Sequence, residues 1–427
     1  MNKKLIAVAV AGVLAAPVVM AENSVTIYGV ADVGLEHVEA KGASDGLDKT
    51  TGKVIPGSTL NVLGKSRVTA NSSYIGFKGQ EELGGGLKAI WQVEQQVDID
   101  DGGASSSAKT NGFATRDSFV GLTSTAAGTV VMGRLTTPTR AVASKLDVFP
   151  GQAGMGANSA ILGQTGNATN KMGDLAFDTR KANAVAVVSP TIAGLNATVA
   201  YIADESRKAS GIDPWGWGAG LNYSGGPLTV IVAYEEHRNA DGLNQNKIDD
   251  TVATTTVVNG VTVAATTGNT AIQAGGSARG SQDTNARIGV GFTSGPVTVN
   301  AIYENMELRA GNATSMNNQV TDWKRDAFWI GGKVALGNNE IRLAYAQALK
   351  AKVTKNFEES TMDNSGAQQV SVGYAYNFSK RSQVYGVYST ILNKDNAAFD
   401  YGPGKSKVGP TAGADPEGYS IGIRHLF

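Results

Sequence analysis

Few residues of this 427-residue chain are spaced for bond-making chemistry. Gly42-Ala-Ser-Asp-Gly46 matches the G-x-S-x-G elbow of serine hydrolases. That elbow needs a strand before it and a helix after it, and here it falls in a polar stretch with no helical pattern following. The three histidines, His37, His237 and His425, lie far apart, and none has metal-ligand spacing. There is no P-loop and no cysteine, so no catalytic, metal or cofactor site and no disulfide framework is expected. What remains is charge. Arg140, Asp147 and Asp174 lie inside one long segment, residues 137–178. Charges of opposite sign facing each other where water is scarce make a transverse field, which sorts solutes by charge and dipole without reacting with them.

The elements around that segment explain why charges would face one another. Gly128-Thr-Val-Val-Met-Gly-Arg-Leu-Thr136 reads as a strand, and a strand resumes near Thr179. Between them lie about forty residues without a clear period, a length that is usually functional or disordered. The segment carries Leu146, Val148, Phe149, Met155, Ile161 and Leu162. A solvated linker has no use for those residues, but a loop folded against an inner wall does. The rest of the chain is therefore expected to form the wall.

Residues 1–21 read as a processing signal: Lys3 and Lys4, an apolar run from Leu5 to Val19, and a small-x-small site at Val19-Met20-Ala21. The mature chain would be exported and begin at Glu22. Bases and acids balance at 37 each, and removing the two signal lysines leaves a net charge of about −2. Nothing in that balance points to nucleic acid as a partner. Glycine is abundant at 54 residues and proline sparse at 11, and after the signal no apolar run is long enough for a spanning helix.

Along the mature chain, strand-like segments alternate with short and long connections. The short ones carry Gly, Pro, Asn and Ser, as in Glu82-Leu-Gly-Gly-Gly86, Ser224-Gly-Gly-Pro227 and Ser294-Gly-Pro296. The long ones lie near 41–65, 99–111, 137–178, 207–214, 240–281, 310–322, 353–367 and 396–416. Counting gives roughly sixteen strands, an even number that returns the chain end to the side where it began. Period-2 alternation is clear, with Val370, Val372, Tyr374, Tyr376 and Phe378 on one face and Gln369, Ser371, Gly373, Ala375 and Asn377 on the other. A soluble sandwich alternates as well. Strand number, the short–long asymmetry and aromatics near strand ends (Tyr28, Tyr74, Trp91, Trp215, Tyr419, Phe427) favour a membrane barrel. The expected fold is all-β, a 16-stranded antiparallel transmembrane β-barrel with its third long loop folded inward. Its outer wall would meet outer-membrane lipid and lipopolysaccharide. Two other classes carry less: a surface adhesin or receptor using a hairpin within Val252–Val263, and an outer-membrane hydrolase with a Ser–His pair on the wall.

Several segments in order resemble the Gram-negative trimeric porins of the neisserial and β-proteobacterial type. They are Val25-Thr-Ile-Tyr-Gly-Val-Ala-Asp32, Ile75-Gly-Phe-Lys-Gly79, Glu81-Glu-Leu-Gly-Gly-Gly-Leu-Lys-Ala89, Phe119-Val-Gly-Leu122, Gly128–Arg134, Ser189-Pro190 and Gly422-Ile-Arg-His-Leu-Phe427. The resemblance implies a homotrimer, passive diffusion of small hydrophilic solutes and ions, and no enzymatic activity. It also implies a constriction where basic wall residues, here Arg116, Arg134 and Arg180, face acids of the inward loop. Phe427 looks like the terminal aromatic signal read by the barrel-assembly machinery, with Tyr419, Ile421 and Ile423 on its face. One departure stands out: many relatives carry an Arg just before the Ile-Gly-Phe-Lys-Gly segment, where this chain has Tyr74. A wall charge is missing there, and a weakly selective pore is expected.

Overall fold

The computed structural model describes residues 24–44, 46–47, 54–55, 60–100, 112–149, 154–166, 177–203, 213–240, 254–258, 261–265, 280–310, 320–355, 358–402 and 406–427. The expected signal segment and Asp174 lie outside the described residues.

Sixteen antiparallel strands form the wall. In chain order they are β1 Ser24–Lys41, β2 in two segments Val62–Ala70 and Tyr74–Gly84, β3 Leu87–Gln96, β4 Ser118–Ser124, β5 Gly128–Thr136, β6 Arg180–Val188, β7 Leu195–Ala203 and β8 Trp215–Gly225. Then follow β9 Leu228–Arg238, β10 Gln282–Ser294, β11 Val297–Arg309, β12 Val320–Leu336, β13 Asn339–Ala348, β14 Ala367–Asn377, β15 Ser382–Asn393 and β16 Asp415–Leu426. Each strand pairs with its neighbours in sequence, and β1 closes the sheet by pairing with β2 on one edge and β16 on the other. The closing register runs from Val30 opposite Leu426 to Lys41 opposite Asp415. A small hairpin, Lys352–Lys355 with Glu358–Thr361, hangs from β12. Residues 254–258 pair with 261–265 as a separate hairpin, whose Asn259-Gly260 tip lies outside the described residues.

The local chemistry explains these elements. Tight turns end the strands on one side, and Gly226 and Gly295 there hold φ of +54° and +56°, a conformation that favours glycine. The outer face carries Val370, Val372, Tyr374, Tyr419, Ile421 and Ile423, all exposed. An apolar face of this extent is unfavourable in water and is what hydrocarbon requires. No described helix is long and apolar enough to cross a membrane. β2 is interrupted at residues 71–73, where Ser72 takes φ of +51°. The Ser73 hydroxyl both donates to the Asp32 carbonyl and accepts from its N–H, each at 2.9 Å. The break pushes Asn71 inward, where its amide reaches the Tyr385 hydroxyl at 3.0 Å.

The core is inside the cylinder, between wall and loop. Here the structure adds what the sequence reading missed, a helix α1 at Pro138–Leu146 and a short 3-10 turn at Asn158–Ala160. The Thr137 hydroxyl caps α1 by accepting from Arg140 N at 3.4 Å, and proline opens the first turn. α1 lies against the inner faces of β7 to β11. It fits because the wall beneath is glycine. A Cβ at Gly291 would stand 3.0 Å from Leu146 Cδ2, and one at Gly289 would collide with the same side chain. Farther along, Phe149 occupies the space over Gly373, where a Cβ would come within 2.7 Å of its ring. Val142 and Leu146 are fully buried by this docking, which stabilises by about 1.5–3 kcal/mol for each side chain.

Replacing Leu146 with Ala should weaken docking of α1 by about 2 kcal/mol or more while leaving the wall intact. Hydrogen exchange of the α1 amides should accelerate with no change in the β10 and β11 amides. Equal protection of α1 in parent and variant would show that the helix does not depend on this contact.

Candidate functional site

The interior gathers charged residues from the wall and from the loop. Arg116 stands just before β4. Its Nε lies 3.4 Å from Glu94 Oε2, and its guanidinium sits 4.3 Å from the centre of the Tyr74 ring. Glu94 also accepts from the Tyr28 hydroxyl at 2.9 Å. Arg180, at the start of β6, pairs with Asp117, whose carboxylate takes the Thr136 N–H and hydroxyl as well. Arg424 of β16 donates to Asp32 at 2.8 Å, and the Tyr385 hydroxyl donates to the other oxygen at 2.7 Å. Between loop residues Phe149 and Gly154–Gly156 and this wall lies an open space lined by Asp32, Glu36, Asn71, Tyr385 and Arg424 among others.

The loop contributes Arg140, which is buried and donates from Nη1 to the Asp178 carbonyl. Burial lowers its pKa to about 10; Asp178 and Asp117 oppose the fall, while Arg180 and Arg116 add to it. Burial also lowers Arg116, with Arg180 acting in the same direction. Arg116, Arg140 and Arg180 thus converge closely enough to feel one another's charge. Arg134 donates from Nε to the Thr115 carbonyl at 2.9 Å.

Asp147 does a different job. It ends α1, and its two oxygens accept the N–H groups of Phe149 and Asn158 at 2.9 and 3.0 Å. The Asn158 amide in turn donates to the Ala143 carbonyl at 2.9 Å. The carboxylate ties the loop to itself and is not presented to the open space. Burial raises its pKa to about 7, against the lowering effect of the two N–H groups.

The histidines separate. His237 is buried, with Nε2 at 2.9 Å from Glu235 and its ring stacked on Phe177. His37 meets the Ser66 hydroxyl at 3.0 Å and His425 the Ser382 hydroxyl at 2.8 Å. Among the described residues, neither of these two rings has an acid to orient it, which a Ser–His nucleophile requires. Ser44, from the glycine-flanked motif, donates to the Asp395 carbonyl at 3.0 Å. Phe427 exchanges backbone hydrogen bonds with Gly29 at 3.1 and 3.2 Å, closing the last rung beside β1.

Sequence reasoning missed the acid partners Asp32, Glu94 and Asp117. It also missed a buried set on the inner faces of β10 to β12: Arg287, Glu304 and Arg325. The available signal was their period-2 position on the face that also carries Gly289 and Gly291.

A family model described as Gram-negative porin matches residues 7–321 and 312–396. Outer membrane porin protein 32 of Delftia acidovorans is 26% identical over 435 residues, covering all of both chains. Major outer membrane protein P.IB of Neisseria gonorrhoeae is 29% identical over 428 residues, again covering both in full. Among solved structures, the anion-selective porin from Comamonas acidovorans superposes with a TM-score of 0.66 at 23% identity, over 95% of this chain and 100% of that one. OmpF of Salmonella typhi, solved with daunomycin, superposes with a TM-score of 0.55 at 17% identity, over 95% and 98%.

The Asp147 carboxyl favours the docked loop when protonated. Its contribution is complete below the ordinary aspartate range and is lost as pH rises through about 7. Infrared difference spectra between pH 8 and pH 5 should show a carboxyl titrating in that range, absent from Asp147→Asn. A band that persists in the variant would assign the titration elsewhere.

Proposed function

This chain belongs to the Gram-negative porin family, and we infer that its barrel is a water-filled outer-membrane channel for passive diffusion of small hydrophilic solutes and ions. The observation that carries the reading is a closed cylinder, apolar outside, whose interior holds paired charged side chains. Hydrocarbon offers backbone groups no partner, so only a closed sheet can span, and a cylinder of this strand number holds water.

We propose that the neck, built from Arg116, Arg140 and Arg180 with Arg424, is weakly selective. The supporting observation is pairing: Arg116 faces Glu94, Arg180 faces Asp117 and Arg424 faces Asp32, while Arg140 is buried beside Asp178 and Asp117 and is not presented as a lone charge. One unpaired charge 4 Å from a passing ion is worth about 1 kcal/mol in bulk water and about 4 kcal/mol at an effective dielectric of 20. Since about 1.4 kcal/mol is a tenfold effect, a lone arginine would bias the current strongly. A pair presents a dipole, whose field falls off faster and has no net sign. The structurally similar porin from Comamonas acidovorans is anion-selective. In this chain the ring of Tyr74 lies against Arg116, at the position where the family often carries another arginine. Asp174 is proposed as a further acid of the loop, and Arg134 as a residue supporting the neck through the Thr115 carbonyl.

The remaining elements of the reading follow the family. We propose a homotrimer in outer-membrane lipid and lipopolysaccharide, with export by a segment cleaved after Ala21 and the loop 137–178 as the constriction. The barrel-assembly machinery would read the last strand through Phe427. The placement of Phe427 beside Gly29 supports this, because its ring and backbone lie at the seam where the sheet closes.

Three results are expected. In planar bilayers under a salt gradient, the protein should conduct in steps with a reversal potential near zero; a strong preference for either ion sign would refute weak selectivity. Tyr74→Arg should move the reversal potential toward anions, since it adds a cation without an acid, and no movement would place Tyr74 outside the conducting path. Deleting Phe427 should lower outer-membrane yield severalfold, and normal yield would remove that residue from the assembly role.

A further inference from the structure

The constriction loop touches the wall in two chemically different ways. Its apolar contacts, such as Leu146 over Gly291, are non-directional and tolerate sliding. Some of its polar contacts are scattered, as where Asn300 donates to the Leu146 carbonyl and Gln369 to the Met155 carbonyl, but the densest set converges on three fully buried side chains from adjacent strands. Arg287 of β10 donates from Nη1 to the Thr139 carbonyl in the first turn of α1 and to Asp178 Oδ1 at the far end of the loop, both at 2.9 Å. Its Nε donates to Glu304 Oε2 of β11 at 2.7 Å. Glu304 accepts the Gly163 N–H with both oxygens at 3.0 and 2.9 Å, and the Asn285 amide at 3.0 Å. Arg325 of β12 donates from Nη2 to Glu304 and to the Ile161 carbonyl, both at 3.3 Å. Its guanidinium also lies 5.2 Å from the Phe399 ring. Phe399 belongs to the last long connection, whose Ala398 N–H donates to Gly166 at 2.7 Å.

Four separate points of the loop, at residues 139, 161, 163 and 178, are thus held by one ionic cluster. Buried ions are costly and often replaceable by apolar packing without loss of stability. Their distinctive contribution is direction. A guanidinium fork satisfies several acceptors in one plane, which an ammonium cannot do.

We propose that Arg287 is a positioning residue of the channel, fastening both ends of the constriction loop at one height and so setting the width and steadiness of the neck. It does not face the solute path; it acts through Thr139, Asp178 and Glu304. The proposal rests on the channel reading above, and the two fail separately: a parent protein that passes no current fails the reading, whereas a conducting parent tests the fastening.

The test compares parent, Arg287→Lys and Asp178→Asn by single-channel recording and by passage of sugars of graded size into liposomes. Arg287→Lys keeps the charge and loses the fork, so the reversal potential should stay at the parent value. The open-channel noise should rise by about an order of magnitude, because losing a charged hydrogen bond shifts the undocking equilibrium roughly tenfold or more. Larger sugars should enter. Asp178→Asn keeps an acceptor oxygen but removes the loop-side charge, so the charge-assisted bond is lost and the variant should behave alike. The parent has no cysteine, so a Leu146→Cys, Gly289→Cys pair added to Arg287→Lys offers an independent fastening. Oxidation should restore quiet steps and the parent size limit, and reduction should abolish both. Parent-like noise and size limit in a conducting Arg287→Lys or Asp178→Asn protein would overturn the proposal, as would noise that oxidation leaves unchanged.

Discussion

Every feature of this molecule depends on the absence of hydrogen-bond partners in hydrocarbon. A strand crossing lipid must give all its N–H and C=O groups to neighbours, so the first strand has to find the last. β1 does so over the register from Val30 to Lys41, and the backbone of Gly29 and Phe427 completes the seam. Closure then decides the side-chain pattern. With one face in lipid and the other in water, a period of two separates Ile421 and Ile423 from Ser420 and Gly422 along the same strand.

A cylinder this wide is an open hole unless something fills part of it. The chain fills it with its own third long connection, and the wall is cut to receive it. Glycines at inward positions of β10 and β14 leave room for Leu146 and Phe149, while Arg287, Glu304 and Arg325 supply contacts with direction. An open space lies between the loop and β1, β2, β15 and β16, where the interruption of β2 points Asn71 inward. On the proposed reading, water and solutes pass between this packing on one side and the paired charges on the other.

The wall was legible in the sequence because both of its signals are local. Alternation shows within seven or eight residues, and tight turns announce themselves by Gly, Pro, Asn and Ser. The length and apolar content of residues 137–178 likewise pointed to a loop packed inside. The helix within it was not legible. Its buried face mixes Pro138, Thr139 and Arg140 with Val142, Ala143 and Leu146 over little more than two turns, so no apolar stripe stands out as periodic, although Thr137-Pro138 was a usable start signal. The roles of individual charges were the least legible. Arg424 and Asp32 are 392 residues apart in sequence, so their pairing exists only once the barrel has closed. Asp147 and Arg116 look equally available in the sequence, yet one is consumed by two backbone N–H groups and the other rests on an aromatic ring and a carboxylate.

The central claim is a wall wet on one face and in lipid on the other, and neighbouring positions of a single strand test it directly. Gln92 of β3 faces inward, with its amide donating to the Asp117 carbonyl at 3.2 Å, and Trp91 beside it faces out. In the cysteine-free parent reconstituted in lipid, a membrane-impermeant thiol reagent should modify Gln92→Cys and reduce its current. It should leave Trp91→Cys unmodified. Equal labelling of the two positions, or labelling of the outward one alone, would contradict the account.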